Sequence, residues 1–381
     1  MVEIKDMMSV EVMGIRLQNP VVVAAGPWSR GAHKIKESLM AGAGAVVTES
    51  IVSEPYPDFS PRYTYDGYGL QNIRLYSGLN MEAWLNAFAE LKSDSQLVGK
   101  GKIIANIMAG TPSELAYMAK TFERAGADGL ELGIACPMGE GAEILAGNPR
   151  KTYEYTKAVT KTANIPVSVK ISQSMNNLPE VIAAVEKAGA NGITAIDTVR
   201  CILDIDIQTG KPVLPTYGGY SGGPIRPMGI ATVAGIAQCT EIPVFGVGGI
   251  ETYEHLLQYM MVGASAAQIG TGVLIYGIEV ISEIIGDLKG WMKKNRIYSL
   301  SEIQGKTLKE LRSFEEIRVE PMKAVLKEPC QDQKCCSCVV CCLDQAIKKS
   351  SEGIAIHTED CTGCGLCRDV CPKEKIFLQW A

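Results

Sequence analysis

Hydrophobic residues along this chain fall into short continuous runs that alternate with segments of helical periodicity. A similar segment rich in small residues occurs four times, at residues 41–49, 125–133, 188–196 and 262–270. Each segment follows a helical pattern, contains a glycine suited to the left-handed cap of that helix, and continues into a predicted short buried strand. Further apolar runs alternate with these segments, at residues 21–25, 103–107, 166–170 and 243–247. Such continuous runs are typical of parallel strands covered by helices.

The eight predicted strands and their connecting helices indicate a TIM (β/α)8 barrel. Helical periodicity is clear at residues 81–92, 113–125, 148–162, 178–188, 229–239 and 253–262. An open doubly wound sheet is the alternative, but no G-x-G-x-x-G follows the first strand, so no dinucleotide site is indicated. After residue 293 the pattern weakens. We therefore predict a barrel over residues 1–298, a packed linker over 299–328 and a small cysteine-rich domain over 329–381.

Composition narrows the class of protein. The 381 residues are 46% hydrophobic and include 39 glycines, which suffices for one large core and a small appendage. The net charge is −5 and no basic run stands out, so a nucleic-acid partner is not expected. We expect neither a signal peptide nor a membrane span. Ten of the 13 cysteines lie between Cys330 and Cys371, which favours metal binding in a reducing cytoplasm over disulfides.

The C-terminal cysteines carry the most specific motif. Residues 361–372 read C-x2-C-x2-C-x3-C-P. This spacing is that of ligands to a [4Fe–4S] cluster in bacterial ferredoxins. Gly363 and Gly365 let the backbone curl around a cluster, and Pro372 stops the turn from continuing as a helix. A structural zinc site is the alternative, although such sites usually show paired C-x2-C units with a long spacer. The motif predicts a small ferredoxin-like α+β domain.

The first half of the cysteine-rich domain can be interpreted in two frames. In one, Cys335, Cys338 and Cys341 keep the C-x2-C-x2-C spacing. In the other, Cys335, Cys338 and Cys342 form the later part of the motif, with Asp332 where the first cysteine belongs. The apolar pair that follows, at residues 346–347, favours the second frame. Both frames predict a second cluster.

Ligand sharing connects the two predicted clusters, because two-cluster ferredoxins exchange their fourth ligands. Cys371 would then serve the first cluster and Cys342 the second, while Cys330 or Cys341 could substitute for the missing first ligand. The predicted metal ligands are Cys335, Cys338, Cys341, Cys342, Cys361, Cys364, Cys367 and Cys371.

Long loops follow three of the predicted barrel strands, at residues 50–80, 136–149 and 197–228. Function in a barrel resides on loops at this end of the strands. The second and third are rich in glycine, as expected for a lid and a loop that surrounds a cofactor, and insertion without function is the alternative. Glycine-rich turns after strands seven and eight frequently bind phosphate. The candidates are Gly248, Gly249, Gly270 and Thr271.

Lys170 ends the fifth predicted strand, where alternation places it on the same face as Ser168. A lysine in a barrel mouth needs a negative partner. The electron-rich edge of a reduced flavin is one such partner. A nearby acidic side chain is the alternative. Together with a phosphate site and an iron–sulfur domain, this lysine suggests FMN, which takes two electrons from a substrate and releases them singly.

A family resemblance rests on residues 14–26, 69–72, 126–137, 247–249 and 270–272. Through these stretches, residues 12–290 resemble the dihydroorotate dehydrogenase family of FMN barrels. Residues 216–227, with the ferredoxin domain, are most similar to the pyrimidine-reducing subunit of dihydropyrimidine dehydrogenase. The resemblance implies that FMN is held by Ala25, Gly26, Asn106, Lys170, Thr198, Ser221, Gly222, Gly248, Gly249, Gly270 and Thr271. It implies that the substrate contacts Asn72, Gly133, Asp197 and Thr198.

Several positions depart from the family pattern. Glu49 stands in place of the lysine of T-K-[ST], Gly133 in place of the asparagine of N-[IL]-S-C-P, and Asp197 in place of the asparagine of N-T. We expect Gly133 to leave an empty space and Asp197 to change the polar edge that the site recognises. The lid at residues 138–147 also lacks the family's catalytic Cys or Ser.

The proton donor must then be another group. The candidates are Glu140, Glu143, Asp197, Glu49 and Tyr217. Lys170 completes the set of candidate catalytic residues. Cys136, at the end of the fourth strand, is expected to pack rather than to act as a nucleophile.

These observations predict a cytoplasmic FMN and iron–sulfur oxidoreductase that acts on CH–CH or CH–NH groups of a small cyclic metabolite, as dihydropyrimidine dehydrogenase does. Three alternatives stay open: the same chemistry on a non-pyrimidine substrate, dihydroorotate dehydrogenase, and an electron-transfer subunit without a substrate. The sequence shows no NAD(P)H-binding domain. We therefore expect a homo- or hetero-oligomer that exchanges electrons with an FAD- and NAD(P)H-dependent reductase subunit or a soluble ferredoxin.

Overall fold

A computed structural model describes residues 7–134, 147–173, 177–332 and 334–380. It divides into two compact units, Met1–Glu310 and Leu311–Ala381. The first contains a closed barrel of eight parallel strands, which confirms the predicted TIM barrel. Its strands are Val21–Val23 (β1), Ala45–Val47 (β2), Lys102–Ile107 (β3), Gly129–Leu132 (β4), Val167–Ile171 (β5), Gly192–Ala195 (β6), Val244–Val247 (β7) and Ala266–Ile269 (β8).

Helices connect these strands and cover the barrel. They are Gly31–Met40 (α1), Met81–Ser93 (α2), Pro112–Arg124 (α3), Pro149–Thr160 (α4), Leu178–Ala188 (α5), Arg226–Cys239 (α6), Tyr253–Met261 (α7), Thr271–Tyr276 (α8) and Val280–Asn295 (α9). Helix α3 illustrates why they form where they do. The Thr111 side chain caps its first turn, Pro112 occupies the first position, and an apolar stripe that includes Leu115 and Phe122 faces the core. No helix of the described residues is long and apolar enough to cross a membrane.

The floor of the barrel is closed by an N-terminal hairpin, Val10–Val12 paired with Ile15–Leu17. Its tip places Met13 inside the barrel, where it is 1% exposed. A Cβ atom on Gly129 would lie 2.7 Å from Met13 Cε, and one on Gly192 would lie 2.9 Å from Met13 Cβ. Glycine at these two strand positions therefore makes room for the apolar plug.

The opposite end of the barrel carries a four-stranded antiparallel sheet that the sequence did not predict. Its strands are Val199–Cys201, Gly218–Gly222, Gly69–Asn72 and Tyr63–Tyr65, in that order. A short ribbon, Ile205–Asp206 with Lys211–Pro212, extends the same loop. The sheet joins the long loops after β2 and β6, so both are fixed over the barrel mouth by main-chain hydrogen bonds.

The second unit is built from two similar halves. Strand Met322–Leu326 pairs with Ile376–Trp380, and strand Ile347–Ser350 pairs with Gly353–Ile356. A shift of 29 residues carries Cys335, Cys338 and Cys342 onto Cys364, Cys367 and Cys371. The same shift carries helix Ser337–Val340 onto helix Leu366–Asp369. This internal repeat favours the second of the two cysteine frames and places Asp332 opposite Cys361.

Residues 299–328, predicted as a linker, are divided between the two units. Leu300 and Ile303 are buried in the core of the first unit, and Gly305 N donates to Met260 O of α7. Met322–Leu326, by contrast, is a strand of the second unit. The boundary after Glu310 thus lies within the segment that the charge pattern marked as a linker.

Candidate functional site

Two adjoining cavities open at the barrel mouth, with volumes of about 790 and 440 Å³. Both volumes include the solvent-filled mouth of the cavities. Lys170, Asp197, Thr198 and Ser221 line both. Each of the eleven residues that the resemblance implied for FMN lines one cavity or the other, and so do the four implied for the substrate. The structure therefore brings both sets together at one place.

A glycine cradle forms one side of the smaller cavity. Gly248 and Gly249 adopt positive φ angles of 128° and 65°. A Cβ atom on Gly249 would lie 2.6 Å from Gly222 O, so no larger residue fits without displacing the backbone. Thr271, at the start of α8, donates a 2.7 Å hydrogen bond to Ser221 Oγ. The cradle leaves the close backbone approach that a phosphate group requires.

A buried network around Glu131 forms the base of the site. Glu131 is 1% exposed and accepts hydrogen bonds from Asn106 Nδ2 at 2.7 Å, Thr194 Oγ1 at 2.7 Å and Gln268 Nε2 at 2.9 Å. Lys170 Nζ lies 3.8 Å from Glu131 Oε1. Lys170 thus has the acidic neighbour that was the alternative to a flavin, and it also lines both cavities. Glu131 holds the charge of Lys170 in place beneath the pocket.

Asn106 occupies the space opposite Gly133. Its Oδ1 atom is buried without a hydrogen-bond partner among the described residues. A Cβ atom on Gly133 would lie 2.8 Å from that oxygen. Asn106 Oδ1 therefore lies on the side of Gly133 where a Cβ atom would project, while the Gly133 backbone lines the larger cavity. A buried acceptor without a partner is costly, so this oxygen fits a ligand that presents an N–H donor.

Asp197 lies beyond the end of β6 and is half-buried. Its Oδ1 atom accepts a 2.7 Å hydrogen bond from Thr198 N, and the residue lines both cavities. Burial raises the pKa of Asp197 above its ordinary value, and the nearby Lys170 only partly opposes this. A protonated carboxyl group offers one donor and one acceptor, as an asparagine amide does. Asp197 in its acid form can therefore take over the hydrogen bonds of the asparagine that it replaces.

Replacing Asp197 by asparagine is expected to change how stability depends on pH. The raised pKa means that the folded state keeps this proton where the unfolded state has released it. Stability should therefore fall as pH rises from about 4, the ordinary carboxyl value, through the raised pKa. The Asp197→Asn variant lacks this loss, so its advantage in free energy of unfolding should grow toward neutral pH. Urea unfolding across this pH range measures it.

The matched control for that experiment is Asp287→Asn, which makes the same substitution at an exposed position on α9. A difference between Asp197→Asn and the native chain that does not change with pH would contradict the raised pKa that we assign to Asp197.

Glu49 belongs to a network of four charges at the edge of the larger cavity. Arg74 Nε lies 2.9 Å from Glu49 Oε1, and Arg74 also contacts Asp58. Arg30 Nη1 lies 3.5 Å from Asp58 and completes the network. Burial raises the pKa of Glu49, although Arg74 and Arg30 oppose the rise. Where the family has a lysine, this chain thus has a carboxylate paired with an arginine from the loop after residues 69–72.

The other predicted site residues fall into three groups. Asn72 lines the larger cavity, and its side chain accepts a 2.7 Å hydrogen bond from Arg74 N. Tyr217 is 52% exposed, with its ring 4.1 Å from the Arg200 guanidinium carbon, and it lines neither cavity. The lid candidates and the predicted packing cysteine, Glu140, Glu143 and Cys136, lie outside the described residues.

Sequence reasoning missed Glu131 and Arg74. Glu131 stands in an apolar strand, where a single inward-facing charge signals a buried pair. Arg74 had a weaker signal. The buried Glu49 requires a cation, but the sequence alone did not indicate which basic residue supplies it.

Thiols surround a separate cavity of about 340 Å³ in the second unit. The cysteines that line it are Cys341, Cys342, Cys361, Cys364 and Cys367. Burial, together with the thiols of Cys341, Cys361 and Cys364, raises the pKa of Cys367 to about 11. Thiols this close together resist deprotonation, and a bound metal centre would stabilise them as thiolates. The set fits the ligands of the cluster that the C-terminal motif predicts.

Comparisons with known proteins agree with this architecture. The model of the dihydroorotate dehydrogenase family matches residues 7–292, and that of the 4Fe-4S binding domain matches residues 354–374. The catalytic subunit of dihydroorotate dehydrogenase B (NAD(+)) from Pyrococcus horikoshii is 35% identical over 309 residues, which are 80% of this chain and 99% of that protein. The protein of the same name from Methanocaldococcus jannaschii is 33% identical, over 78% of this chain and 97% of its own.

A solved structure shows the same fold. The dihydroorotate dehydrogenase of Eimeria tenella, in complex with ferulenol, has a TM-score of 0.70 and 18% identity, over 80% of this chain and 90% of its own. The predicted family is thus confirmed. The relatives' names agree with the dihydroorotate dehydrogenase alternative better than with the expected likeness to dihydropyrimidine dehydrogenase. This chain is a member of the dihydroorotate dehydrogenase family of FMN-dependent oxidoreductases, extended by a C-terminal [4Fe–4S]-binding domain.

Proposed function

We propose that this chain is the catalytic subunit of a cytoplasmic dehydrogenase that acts on the CH–CH bond of a small cyclic amide, with dihydroorotate as its first candidate substrate. The observation that carries this proposal is the pair of adjoining cavities, which places a glycine cradle, Lys170 and amide-type side chains at one barrel mouth. Similarity to dihydroorotate dehydrogenase B catalytic subunits over nearly their whole length supports it.

The glycine cradle and Lys170 fit FMN. The residues that would hold it are Ala25, Gly26, Asn106, Lys170, Thr198, Ser221, Gly222, Gly248, Gly249, Gly270 and Thr271. The chemistry that FMN supplies when bound is hydride exchange with the substrate and release of single electrons. Lys170 contributes a positive charge that favours an electron-rich ring, and Glu131 keeps that charge oriented. Because Gly249 admits no Cβ atom, the cradle accepts a group that approaches the backbone closely.

Recognition of the substrate would fall to Asn72, Asp197 and Thr198 beside the open backbone of Gly133. In its acid form Asp197 would donate its carboxyl proton to a ring carbonyl, and Asn106 Oδ1 would accept from a ring N–H of the bound ligand. Glu140 and Glu143 on the lid are our candidates for exchanging a proton with the ring carbon. If Glu140→Gln and Glu143→Gln both leave turnover unchanged, this assignment is wrong.

Electrons would leave through the cysteine-rich unit to a redox partner. The names of the relatives describe catalytic subunits of NAD(+)-dependent enzymes. By analogy we propose a partner subunit that carries FAD and exchanges electrons with NAD(P)H, with a soluble ferredoxin as the other possibility.

A neutral ring such as dihydrouracil is the second candidate substrate. The specific observation is the charge of the pocket. Dihydroorotate carries a carboxylate, but the family's lysine is replaced here by Glu49, whose charge is balanced by Arg74. A ligand carboxylate therefore loses the positive side chain that the family offers it. Since two unit charges about 4 Å apart interact by roughly 4 kcal/mol near a protein surface, this replacement favours an uncharged ligand.

The test is an anaerobic titration of the purified holoenzyme. Dihydroorotate and dihydrouracil are added separately at equal concentration while the flavin absorption band is followed. Bleaching by dihydroorotate supports the first candidate, and bleaching by dihydrouracil alone supports the second. A flavin that dithionite bleaches but neither ring does would overturn the cyclic-amide proposal and favour an electron-transfer role. A purified chain without flavin would contradict the cofactor.

A further inference from the structure

We propose that the second unit binds another iron–sulfur cluster through Cys330, Cys335, Cys338 and Cys371, with Cys330 as the ligand that replaces the residue expected at position 332. The 4Fe-4S model matches only residues 354–374, which contain the other motif. This inference concerns cluster ligands alone and does not depend on the substrate proposed above.

The internal repeat shows which cluster ligand the first half of the unit lacks. The 29-residue shift matches Cys335 and Cys338 with Cys364 and Cys367, but it matches Asp332 with Cys361. The two helices that carry Cys338 and Cys367 correspond residue by residue, and both thiols are buried at 8% and 7% exposure. The first half therefore has the backbone for a cluster and lacks one thiolate at the expected position.

The carboxylate of Asp332 is already engaged. Its Oδ2 atom lies 2.6 Å from Lys373 Nζ. Its Oδ1 atom accepts hydrogen bonds from Lys334 N at 2.9 Å and Cys335 N at 3.1 Å. An aspartate that accepts from the backbone two and three residues ahead stabilises a turn. Asp332 thus stabilises the turn and links this loop to Lys373 through an ion pair.

The backbone around Cys330 is fastened beside the loop that contains Cys371. Lys375 Nζ donates to Pro329 O at 3.2 Å and pairs with Glu328 at 3.0 Å. Cys330 O accepts a 2.9 Å hydrogen bond from Ile354 N. The Lys373–Asp332 pair ties the other side of the same segment. Since contacts on both sides hold the segment against residues 371–375, the Cys330 thiol is brought to the Cys371 side of the unit.

The neighbours of Cys338 define the same set. The Cys338 thiol lies close enough to those of Cys371, Cys335 and Cys330 to interact with them electrostatically. Cys371 Sγ also accepts a hydrogen bond from Lys375 N at 3.4 Å, as thiolate ligands of clusters do. The other cavity has its own complement in Cys361, Cys364 and Cys367 with Cys341 or Cys342. The ten cysteines thus provide two separate sets of four.

The spacing of the thiols favours a cluster over a single zinc ion. A tetrahedral zinc site with Zn–S distances of about 2.3 Å needs sulfur atoms within roughly 4 Å of one another. In the part of the chain that the structure describes, no three cysteine sulfur atoms lie within 4.8 Å of one another. The wider arrangement leaves room for a group larger than one metal ion.

The experiment measures iron, acid-labile sulfide and electron paramagnetic resonance (EPR) of the full chain after anaerobic reconstitution. The native chain should bind about eight irons. Cys330→Ser should lose one to four of them and show the resonance of a three-iron cluster or of a single remaining cluster. Asp332→Ser and the matched control Cys336→Ser, which removes an exposed thiol of the same loop, should keep about eight.

A rescue variant separates lost ligation from failed folding. Asp332→Cys in the Cys330→Ser background restores the thiolate at the position that the repeat predicts. It should recover the lost iron and the native resonance. The proposal is overturned if the native chain binds only about four irons, or if Asp332→Ser loses iron while Cys330→Ser does not.

Discussion

Replacing Glu131 by alanine is expected to destabilise the barrel by about 3–5 kcal/mol and to reduce its flavin content sharply. Three donors bond to this carboxylate, from Asn106, Thr194 and Gln268. Without it the Asn106 amide would lose the partner of its N–H group, while Thr194 keeps Ser168 Oγ at 3.0 Å and Gln268 keeps a weak bond to Thr194 Oγ1 at 3.5 Å. Lys170 would also lose its negative neighbour. Because Asn106 and Lys170 line the cofactor cavities, the substitution should impair cofactor binding as well as stability.

Urea unfolding and flavin absorbance of the purified variant measure the two effects. Glu131→Gln keeps the shape but not the charge, so it should fall between the native chain and Glu131→Ala. The control is Glu154→Ala, which breaks an exposed 3.0 Å pair with Arg150 on α4 and should cost at most about 1 kcal/mol. If Glu131→Ala unfolds within about 1 kcal/mol of the native chain and keeps its flavin, the network does not support the site.

The barrel could be predicted from the sequence because its strands are continuous apolar runs. Residues 103–107, for instance, appear in the structure as Lys102–Ile107. The sheet over the mouth could not be predicted. Strand Gly218–Gly222 is mostly glycine, and its pairing with Gly69–Asn72 joins residues nearly 150 positions apart. Its glycines allow close packing, since a Cβ atom on Gly218 would lie 2.6 Å from Gln71 Cγ.

Site residues that belong to local sequence motifs could be predicted from the sequence. Those whose role depends on a contact with a residue far away in the chain could not. The glycine-rich turns after β7 and β8 are motifs of a few residues, and they indicate that a ligand can approach the backbone closely. The role of Arg74 depends on its ion pair with Glu49, which lies 25 residues earlier in the chain. Gly133 is a further example. It lines the larger cavity, but the sequence alone did not indicate that the Asn106 amide of the neighbouring strand lies against it.

The cysteine frame shows how structure adds to spacing. Cysteine spacing alone allows both Cys341 and Cys342, since each completes one frame, and in the sequence only the apolar pair at residues 346–347 favours Cys342. The helices Ser337–Val340 and Leu366–Asp369 repeat at 29 residues, which makes Cys342 the counterpart of Cys371. Sequence periodicity could have found this repeat, because Ile347 and Ile376 also correspond, but four-residue helices are too short to stand out.

Replacing Lys170 by methionine is expected to slow reduction of the bound flavin by its substrate about 10²–10³-fold, with FMN still bound. The positive charge favours the ring as it gains electrons, and methionine fills the space without supplying that charge. Stopped-flow absorbance at saturating substrate gives the rate. The control is Lys102→Met, since Lys102 lies on β3 and pairs with Asp128 at 3.3 Å, outside the cavity lining.

A structural role for Lys170 is separated from an electrostatic one by a double variant. Lys170→Met alone leaves Glu131 buried without its cation, so part of its effect would be instability. Lys170→Met with Glu131→Gln removes both charges and should regain stability, yet the slow flavin reduction should persist. Recovery of the native rate in the double variant would show that Lys170 serves only to neutralise Glu131. A persistent loss would place its charge at the flavin, which is what the geometry of the pocket favours.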